Sequence, residues 1–213
     1  MARILITSGP TRQYLDPVRY LTNGSSGRMG AALARAALDA GHEVTIVSGP
    51  VQIEYPAAAK QISVVSTEDM RDACCELYPD CDGAIGAAAP SDYRPQLVQA
   101  QKIVKTGQPL VLELVETPDV IATLGAKKRP GQWLVGFALE THDRHIRALL
   151  KLEKKCCDLM VLNGPEAMDA LNNAVEIMDR RGQLLRSLAG SKEQVARGIL
   201  RVIQHELVHP TQP

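Results

Sequence analysis

The stretch Asn23-Gly-Ser-Ser-Gly-Arg-Met-Gly30 brings an amide, two hydroxyls and three glycines together within eight residues. Residues of these types suit an anion. Gly27 and Gly30 let the main chain approach a ligand with no Cβ in the way, and the free N–H groups that open a helix point at whatever lies above them. A tight turn with close helix–sheet packing explains the same glycines without a ligand, and the loop alone leaves both readings open. Further along, Gly86-Ala-Ala-Ala89 offers small side chains against which a base or phosphate can lie, Asp92 offers an acid, and Lys102, Lys105, Lys151 and Lys155 offer charges that neutralise phosphates. Lys151 and Lys155 are spaced i,i+4 and would share a helix face, for which a solvated surface is the plainer reading. Cys74-Cys75, Cys81 and Cys156-Cys157 form no C-x-x-C pair and have no histidine at ligand spacing. They read as reduced, structural thiols.

The elements that must position these residues follow from periodicity. Arg3-Ile-Leu-Ile-Thr7 is an apolar run of strand length ahead of the loop. Behind the loop, Met29, Leu33, Ala36, Ala37 and Ala40 recur at helical spacing, Gly41 suits a helix C-terminus, and Val44-Thr-Ile-Val47 reads as a second strand. Strand, glycine loop, helix and strand make one βαβ unit. Gln61–Val65 is a third strand, Thr67 is expected to cap a helix starting at Glu68, and Ala84-Ile85 sits in a short fourth strand running into Gly86. Leu110, Leu112 and Leu114 alternate with Val111, Glu113 and Val115, so residues from about 100 to 115 are expected to form a projecting β arm outside the main sheet. An unpaired apolar strand invites association, and the arm is therefore assigned to dimerisation.

Pro118 is expected to open a helix, and Trp133–Phe137 a buried strand. Residues 142–155 read as a helix, Leu159–Leu162 and Val175–Met178 as strands, and Arg180–Gln183 as a turn. Ser191 caps a last helix from Lys192 to about Leu207. The alternation predicts an α/β fold: a Rossmann-like, mostly parallel sheet with helices on both faces, in a single domain over residues 1–213.

Composition narrows the partners. The 24 basic and 24 acidic residues cancel, so charge gives no ground for a nucleic-acid or membrane partner. No apolar run reaches spanning length and the first residues read as a strand rather than a signal, which predicts a cytoplasmic location. An NAD(P)-dependent Rossmann reductase is the weaker alternative. Dinucleotide sites place an acid about twenty residues past the glycines, whereas strand two ends Val47-Ser-Gly-Pro50, and no Tyr-x-x-x-Lys pair occurs.

Several blocks together resemble the phosphopantothenate–cysteine ligase (phosphopantothenoylcysteine synthetase) family. They are Ile4–Arg12, Asp16-Pro-Val-Arg-Tyr20, Asn23–Gly30, Val47–Pro50, Ser91-Asp-Tyr-Arg-Pro95, Lys102-Ile-Val-Lys105, Thr117-Pro-Asp-Val120, Val135–Ala138 with Glu140-Thr141, and Lys151–Lys155, in the family's order over roughly residues 3–207. The resemblance implies an enzyme of coenzyme A biosynthesis. It would activate the carboxylate of 4′-phosphopantothenate with CTP and Mg²⁺ to an acyl-cytidylate, then couple it to L-cysteine with release of CMP. It also implies a homodimer, and a separate flavin-dependent decarboxylase acting next, since no decarboxylase precedes the match here.

By matching position, Gly86, Ala87, Ala88, Asp92, Lys102, Pro118, Asp119, Val120, Ile121, Phe137, Lys151 and Lys155 are implied to meet the nucleotide. Asn23, Ser25, Ser26 and Gly27 are implied to meet the substrate, with Asn23 and Lys102 catalytic and no metal ligand assigned. The plainer readings are core packing for Phe137 and capping for Ser25 and Ser26. The chain departs from the family pattern at Pro90-Ser91 and at Val104, and Asn163 is a possible contact ahead of a divergent segment through Ala170. An ATP-using ligase and a non-catalytic nucleotide-binding homologue are the alternatives.

Overall fold

A computed structural model describes residues 1–140, 142–163 and 172–209, with Asn172 described for its backbone alone. Its first strand, β1 (Arg3–Ser8), is buried from Ile4 onward. Alternate side chains serve different cores: Ile4 and Ile6 join one apolar cluster, Leu5 the other. Around β1 the parallel sheet winds outward in two directions. On one side lie β4 (Glu43–Ser48) and β5 (Lys60–Ser63); on the other lie β6 (Gly83–Gly86), β9 (Trp133–Leu139) and β10 (Leu159–Asn163). Two antiparallel strands, β11 (Asn172–Asp179) and β12 (Leu184–Ser191), extend the edge, giving eight strands in the order β12-β11-β10-β9-β6-β1-β4-β5. The winding reverses between β1 and β6, so the loops leaving those strands diverge and open a crevice at their carboxyl ends.

Helices cover both faces, as the alternation predicted. On the first face α1 (Arg28–Asp39) packs on α5 (Lys192–Ile203), with Leu33, Ala37, Ile199 and Ile203 against Ile4, Ile6 and Ile46. On the second, α2 (Thr67–Leu77), α3 (Val120–Lys127) and α4 (Arg144–Lys154) bring Met70, Leu124 and Leu152 against Leu5 and Leu134. The indole of Trp133, at the start of β9, lies over Gly83 at the opposite end of the sheet from the crevice; a Cβ at Gly83 would overlap the ring. Among the described residues no helix is long and apolar enough to cross a membrane.

Several local expectations change. The alternating run contributes only β8 (Leu114–Glu116), which pairs with β7 (Tyr93–Pro95), and residues 100–113 form no strand. The partner β7 ends at Pro95, which has no N–H to continue the ladder. Ser66, not Thr67, caps α2: its side chain accepts from Asp69 N, and Asp69 accepts from Ser66 N in return. Thr67 is buried instead, its Oγ1 lying 2.8 Å from Thr11 Oγ1. Pro118 stands before the cap of α3, which is Asp119, accepting from Ala122 N at 3.0 Å. The sequence does not announce β7, β12 or a hairpin of β2 (Arg12–Asp16) and β3 (Arg19–Thr22) inserted between β1 and α1.

Candidate functional site

The crevice holds a cavity of about 480 Å³. Residues 23–29 form one wall. Ala87, Ala88, Ala89 and Asp92, beyond β6, form a second. Phe137, Ala138 and Leu139 come from β9, and Lys151, Asn163, Asn173 and Lys192 complete the lining.

The glycine loop is held from below by hydroxyls. Gly27 is the N-cap of α1 at φ 75°, in the left-handed region that favours glycine, and it makes no side-chain cap. Its carbonyl accepts from Ser8 Oγ at 3.1 Å and from Ala31 N at 3.1 Å. Ser8 Oγ in turn accepts from the Tyr55 hydroxyl at 2.9 Å, which lies 2.8 Å from Ser48 Oγ. Gly30 answers to packing: a Cβ there would overlap Ser8 Oγ. One glycine thus serves the loop's conformation and the other the fit of helix on sheet. The first turn of α1 carries no acid, so the positive end of its dipole meets the cavity unneutralised by its own side chains.

Asn23 ties the two walls together. Its Nδ2 donates to Ala89 O at 3.2 Å and to Pro90 O at 2.9 Å. Ser91, a departure from the family pattern, turns inward: its N–H donates to Thr11 Oγ1 at 2.8 Å, and its carbonyl accepts from Thr67 and Thr117 hydroxyls. The loop that carries Asp92 is therefore fixed by threonine hydroxyls on neighbouring elements, those of Thr11 and Thr67 buried.

Lys151 reaches the cavity from α4 while its ammonium sits 2.6 Å from Glu140 Oε1, and Arg147 Nε donates to Glu140 Oε2 at 2.9 Å. Glu140 is buried, which alone would raise its carboxyl, but Lys151 and Arg147 outweigh that and hold it below the usual carboxylate range. Lys155 is turned elsewhere, to Asp119 at 3.0 Å. Burial raises the Asp119 carboxyl, and the Ala122 N–H and Lys155 more than reverse it.

Of the sequence-predicted residues, Asn23, Ser25, Ser26, Gly27, Ala87, Ala88, Asp92, Phe137 and Lys151 line this one cavity. Gly86, Pro118, Asp119, Val120, Ile121 and Lys155 are not among its lining residues. Val120 is buried in the core, and Gly86 makes room for Ile121, which its Cβ would overlap. Lys102 lines a separate depression with Leu15, Pro95, Ile103 and Leu110. That segment is gripped by the hairpin. Buried Asp16 accepts from Ile103 N at 3.0 Å through Oδ2, and Arg19 Nη1 donates to both Asp16 Oδ2 at 2.7 Å and Ile103 O at 2.9 Å.

Arg28, Asn173 and Lys192 line the cavity and were not singled out from the sequence. Lys192 reads there as an ordinary solvated first turn, and Asn173 belongs to an edge hairpin of which one strand was missed. Asn163 does line the cavity, but residues 164–170 of the divergent segment, and Thr141, lie outside the described residues.

Sheet order, switch point and loop place the chain in the class of doubly wound α/β proteins with a ligand crevice at the strand ends. Within that class it belongs to the family described as DNA/pantothenate metabolism flavoprotein C-terminal domain, which it matches over residues 1–207. A relative from Vibrio vulnificus, the coenzyme A biosynthesis bifunctional protein CoaBC, is 40% identical over 97% of this chain and 53% of its own length. The chain spans about half the length of the curated relatives it matches. A crystal structure of the C-terminal domain of a CoaBC protein is 39% identical with a TM-score of 0.83, covering 97% of this chain and 95% of that one. The DNA/pantothenate metabolism flavoprotein from Streptococcus pneumoniae is 26% identical with a TM-score of 0.84, over 96% and 99% of the two chains.

Proposed function

We propose that this chain is a phosphopantothenate–cysteine ligase domain of coenzyme A biosynthesis, forming one functional unit over residues 1–213. The observation that carries the reading is the convergence, on one cavity of a chain in this family, of the Asn23 loop, the small Ala87–Ala89 wall with Asp92, Phe137 and Lys151. The names of the relatives place them in coenzyme A biosynthesis, and the sequence motifs add the reaction.

A carboxylate repels nucleophiles and offers no leaving group. In the proposed first step, one oxygen of the phosphopantothenate carboxylate attacks the α-phosphorus of CTP, and the bond to the β-phosphate oxygen breaks with pyrophosphate leaving. In the second, the cysteine amine attacks the acyl carbon; its proton is lost and CMP leaves with the bonding pair. The Ala wall gives the nucleotide a flat, unobstructed surface. Lys151 supplies positive charge at a fixed place because Glu140 anchors it. Mg²⁺ suits this cavity as a companion of the nucleotide, held chiefly by phosphate oxygens as is usual for that ion, with Asp92 the carboxylate among the cavity's lining residues. When bound it would neutralise phosphate charge.

Lys102 fits the reading through a second copy of the chain. Around its depression Leu97, Val104, Leu110 and Val111 are exposed, an apolar surface that a homodimer would cover, carrying Lys102 towards the partner's cavity. A cytoplasmic setting and a flavin-dependent decarboxylase activity consuming the product complete the proposal.

Pyrophosphate release with phosphopantothenate and Mg²⁺, before cysteine is added, tests it with each nucleoside triphosphate in turn. CTP is expected to support release. Equal or better release with ATP removes the CTP preference. Binding of CTP with no release from any triphosphate leaves a non-catalytic nucleotide-binding homologue.

A further inference from the structure

We infer that Tyr55, which is not among the cavity's lining residues, is a positioning residue for the glycine loop and acts on it through Ser8. Which substrate feels the change rests on the ligase reading; the route rests on the residues themselves.

Residues 49–59 join β4 to β5 without helix or strand. Within them Val51, Ile53 and Tyr55 are half-buried and alternate with exposed Gln52 and Glu54. The three inward side chains converge beneath Gly27. A Cβ on that glycine would meet Val51 Cγ1 at 3.0 Å, the Tyr55 hydroxyl at 3.1 Å and Ile53 Cδ1 at 3.3 Å. The Tyr55 ring packs on the core that contains Ile4 and Ile6, and its hydroxyl is the polar tip between Ser8 and Ser48. Both serines are buried.

Counting protons gives the direction of the chain. Each hydroxyl has one proton to donate. Ser8 gives its proton to the Gly27 carbonyl at 3.1 Å, and Tyr55 gives its own to Ser8 at 2.9 Å. Ser48 has two acceptors within reach, the Gly49 carbonyl at 2.7 Å and the Tyr55 oxygen at 2.8 Å. The donors thus run one way, from Ser48 through Tyr55 and Ser8 to Gly27, and each bond polarises the next. Deleting the Tyr55 hydroxyl strands no proton, because Ser8 keeps Gly27 and Ser48 keeps Gly49. The fold therefore has little need of that hydroxyl. What it supplies is the fixed direction of Ser8.

That direction matters at the head of α1. Gly27 has no side-chain cap to hold it. Its carbonyl and the Arg28 N–H belong to one planar peptide and point opposite ways. Holding the carbonyl on Ser8 and Ala31 N aims the Arg28 N–H out of the helix end, where residues 23–29 wall the cavity.

Tyr55→Phe, Ser8→Ala, the two combined, and Ser48→Ala test the route. Folding is followed by melting, the loop by amide exchange at Ala31, whose N–H donates to Gly27 O at 3.1 Å, and the site by steady-state kinetics. Tyr55→Phe is expected to melt close to the parent and to quicken Ala31 exchange. It should raise KM for phosphopantothenate about two- to tenfold, the scale of one neutral hydrogen bond. With Ser8 already alanine, Tyr55→Phe should add almost nothing. Ser48→Ala, which spares the Tyr55–Ser8 bond, should stay nearer the parent than Ser8→Ala.

Effects of Tyr55→Phe and Ser8→Ala that multiply in the combined variant overturn the route, as does a Ser48→Ala loss equal to that of Ser8→Ala. A fall in kcat with KM unchanged reports fewer folded molecules rather than a moved loop, and also overturns it. Should Tyr55→Phe fail to fold, Ser8→Ala alone decides: parental Ala31 exchange would leave nothing for Tyr55 to act through. A parent that forms no acyl-cytidylate removes the ligase reading, yet Ala31 exchange that quickens in Tyr55→Phe and no further in the combined variant keeps Tyr55 in its role. An active parent whose Ala31 ignores Tyr55→Phe keeps the reaction and removes Tyr55.

Discussion

Asn23 holds two main-chain carbonyls on the opposite wall of the cavity, Ala89 O and Pro90 O, through the same Nδ2. Asn23→Asp replaces that donor with a carboxylate facing two acceptors. A hydrogen bond contributes about 0.5–1.5 kcal/mol net, and a carboxylate at position 23 would in addition repel both carbonyls. The substitution should therefore weaken CTP binding about tenfold or more as well as slow product formation, because the Ala89 wall loses its tie; calorimetry giving an unchanged CTP affinity would contradict this. Gly30 yields a different outcome. Gly30→Ala would drive a methyl into Ser8, and overpacking of this kind typically costs about 1–3 kcal/mol. A lower midpoint in urea is expected, and an undiminished one would show that α1 can shift outward. The glycine loop and the small-residue stretch from Gly86 to Ala89 are legible from residue type, while Asn23 is marked only through the family resemblance. Lys192 and Asn173 are not legible, because a lysine in a helix's first turn and an asparagine on a half-recognised strand carry no local mark of what they face.

Among the elements, the β2–β3 hairpin does the most with the fewest residues. Asp16 accepts from Val18 N, Arg19 N and Ile103 N, and with Arg19 it grips Ile103 at both its N–H and its carbonyl. The carboxyl lies below its ordinary value of 3.8: burial would raise it, but the three N–H groups and Arg19 more than compensate. A depressed folded pKa contributes stability that is present above the ordinary value and lost as pH falls through the folded one. Asp16→Asn should thus melt earlier than the parent at about pH 6, with the difference closing only as pH falls below the carboxyl's ordinary value of 3.8. Amide exchange at Ile103 should quicken in the variant, and a gap in melting temperature that persists at low pH would exclude the carboxylate as its source. The strands of the parallel sheet were readable because buried apolar runs carry their own signal. The hairpin, β12 and the lost arm strand were misjudged for a common reason: their pairing depends on partners distant in the chain, and half-exposed strands with mixed side chains announce neither partner nor length. Asp16 has no mark in the sequence beyond its place in the Asp16-Pro-Val-Arg-Tyr20 block, yet it fixes the segment bearing Lys102.

At the scale of the whole molecule, the separation of Lys102 from the cavity of its own chain makes assembly the question. The exposed Leu97, Val104, Leu110 and Val111 favour a covered surface, so light scattering at micromolar protein should give the mass of two chains; a single-chain mass would count against it. Function offers a sharper test. Lys102→Gln is expected to slow acyl-cytidylate formation about a hundredfold. If the two copies exchange Lys102, mixing that variant with Asn23→Asp should restore up to about a quarter of parental activity, since half of the dimers would then hold one intact site. Mixtures no more active than their components would place Lys102 within its own subunit's site or outside catalysis. The two-sided sheet and its crevice were readable at this scale from the alternation of strands and helices; which copy completes the crevice was not, because one chain's pattern does not encode the docking of two.

The burial of Trp133 over Gly83 has an optical consequence. It is the chain's one indole, 4% exposed, and it stands at the far end of the sheet from the crevice. Its fluorescence should report loss of the packed core while staying nearly silent to events among Ala87–Ala89 and Asp92. The protein thus carries a built-in emission probe that separates a variant which has lost its fold from one which has lost only its ligand.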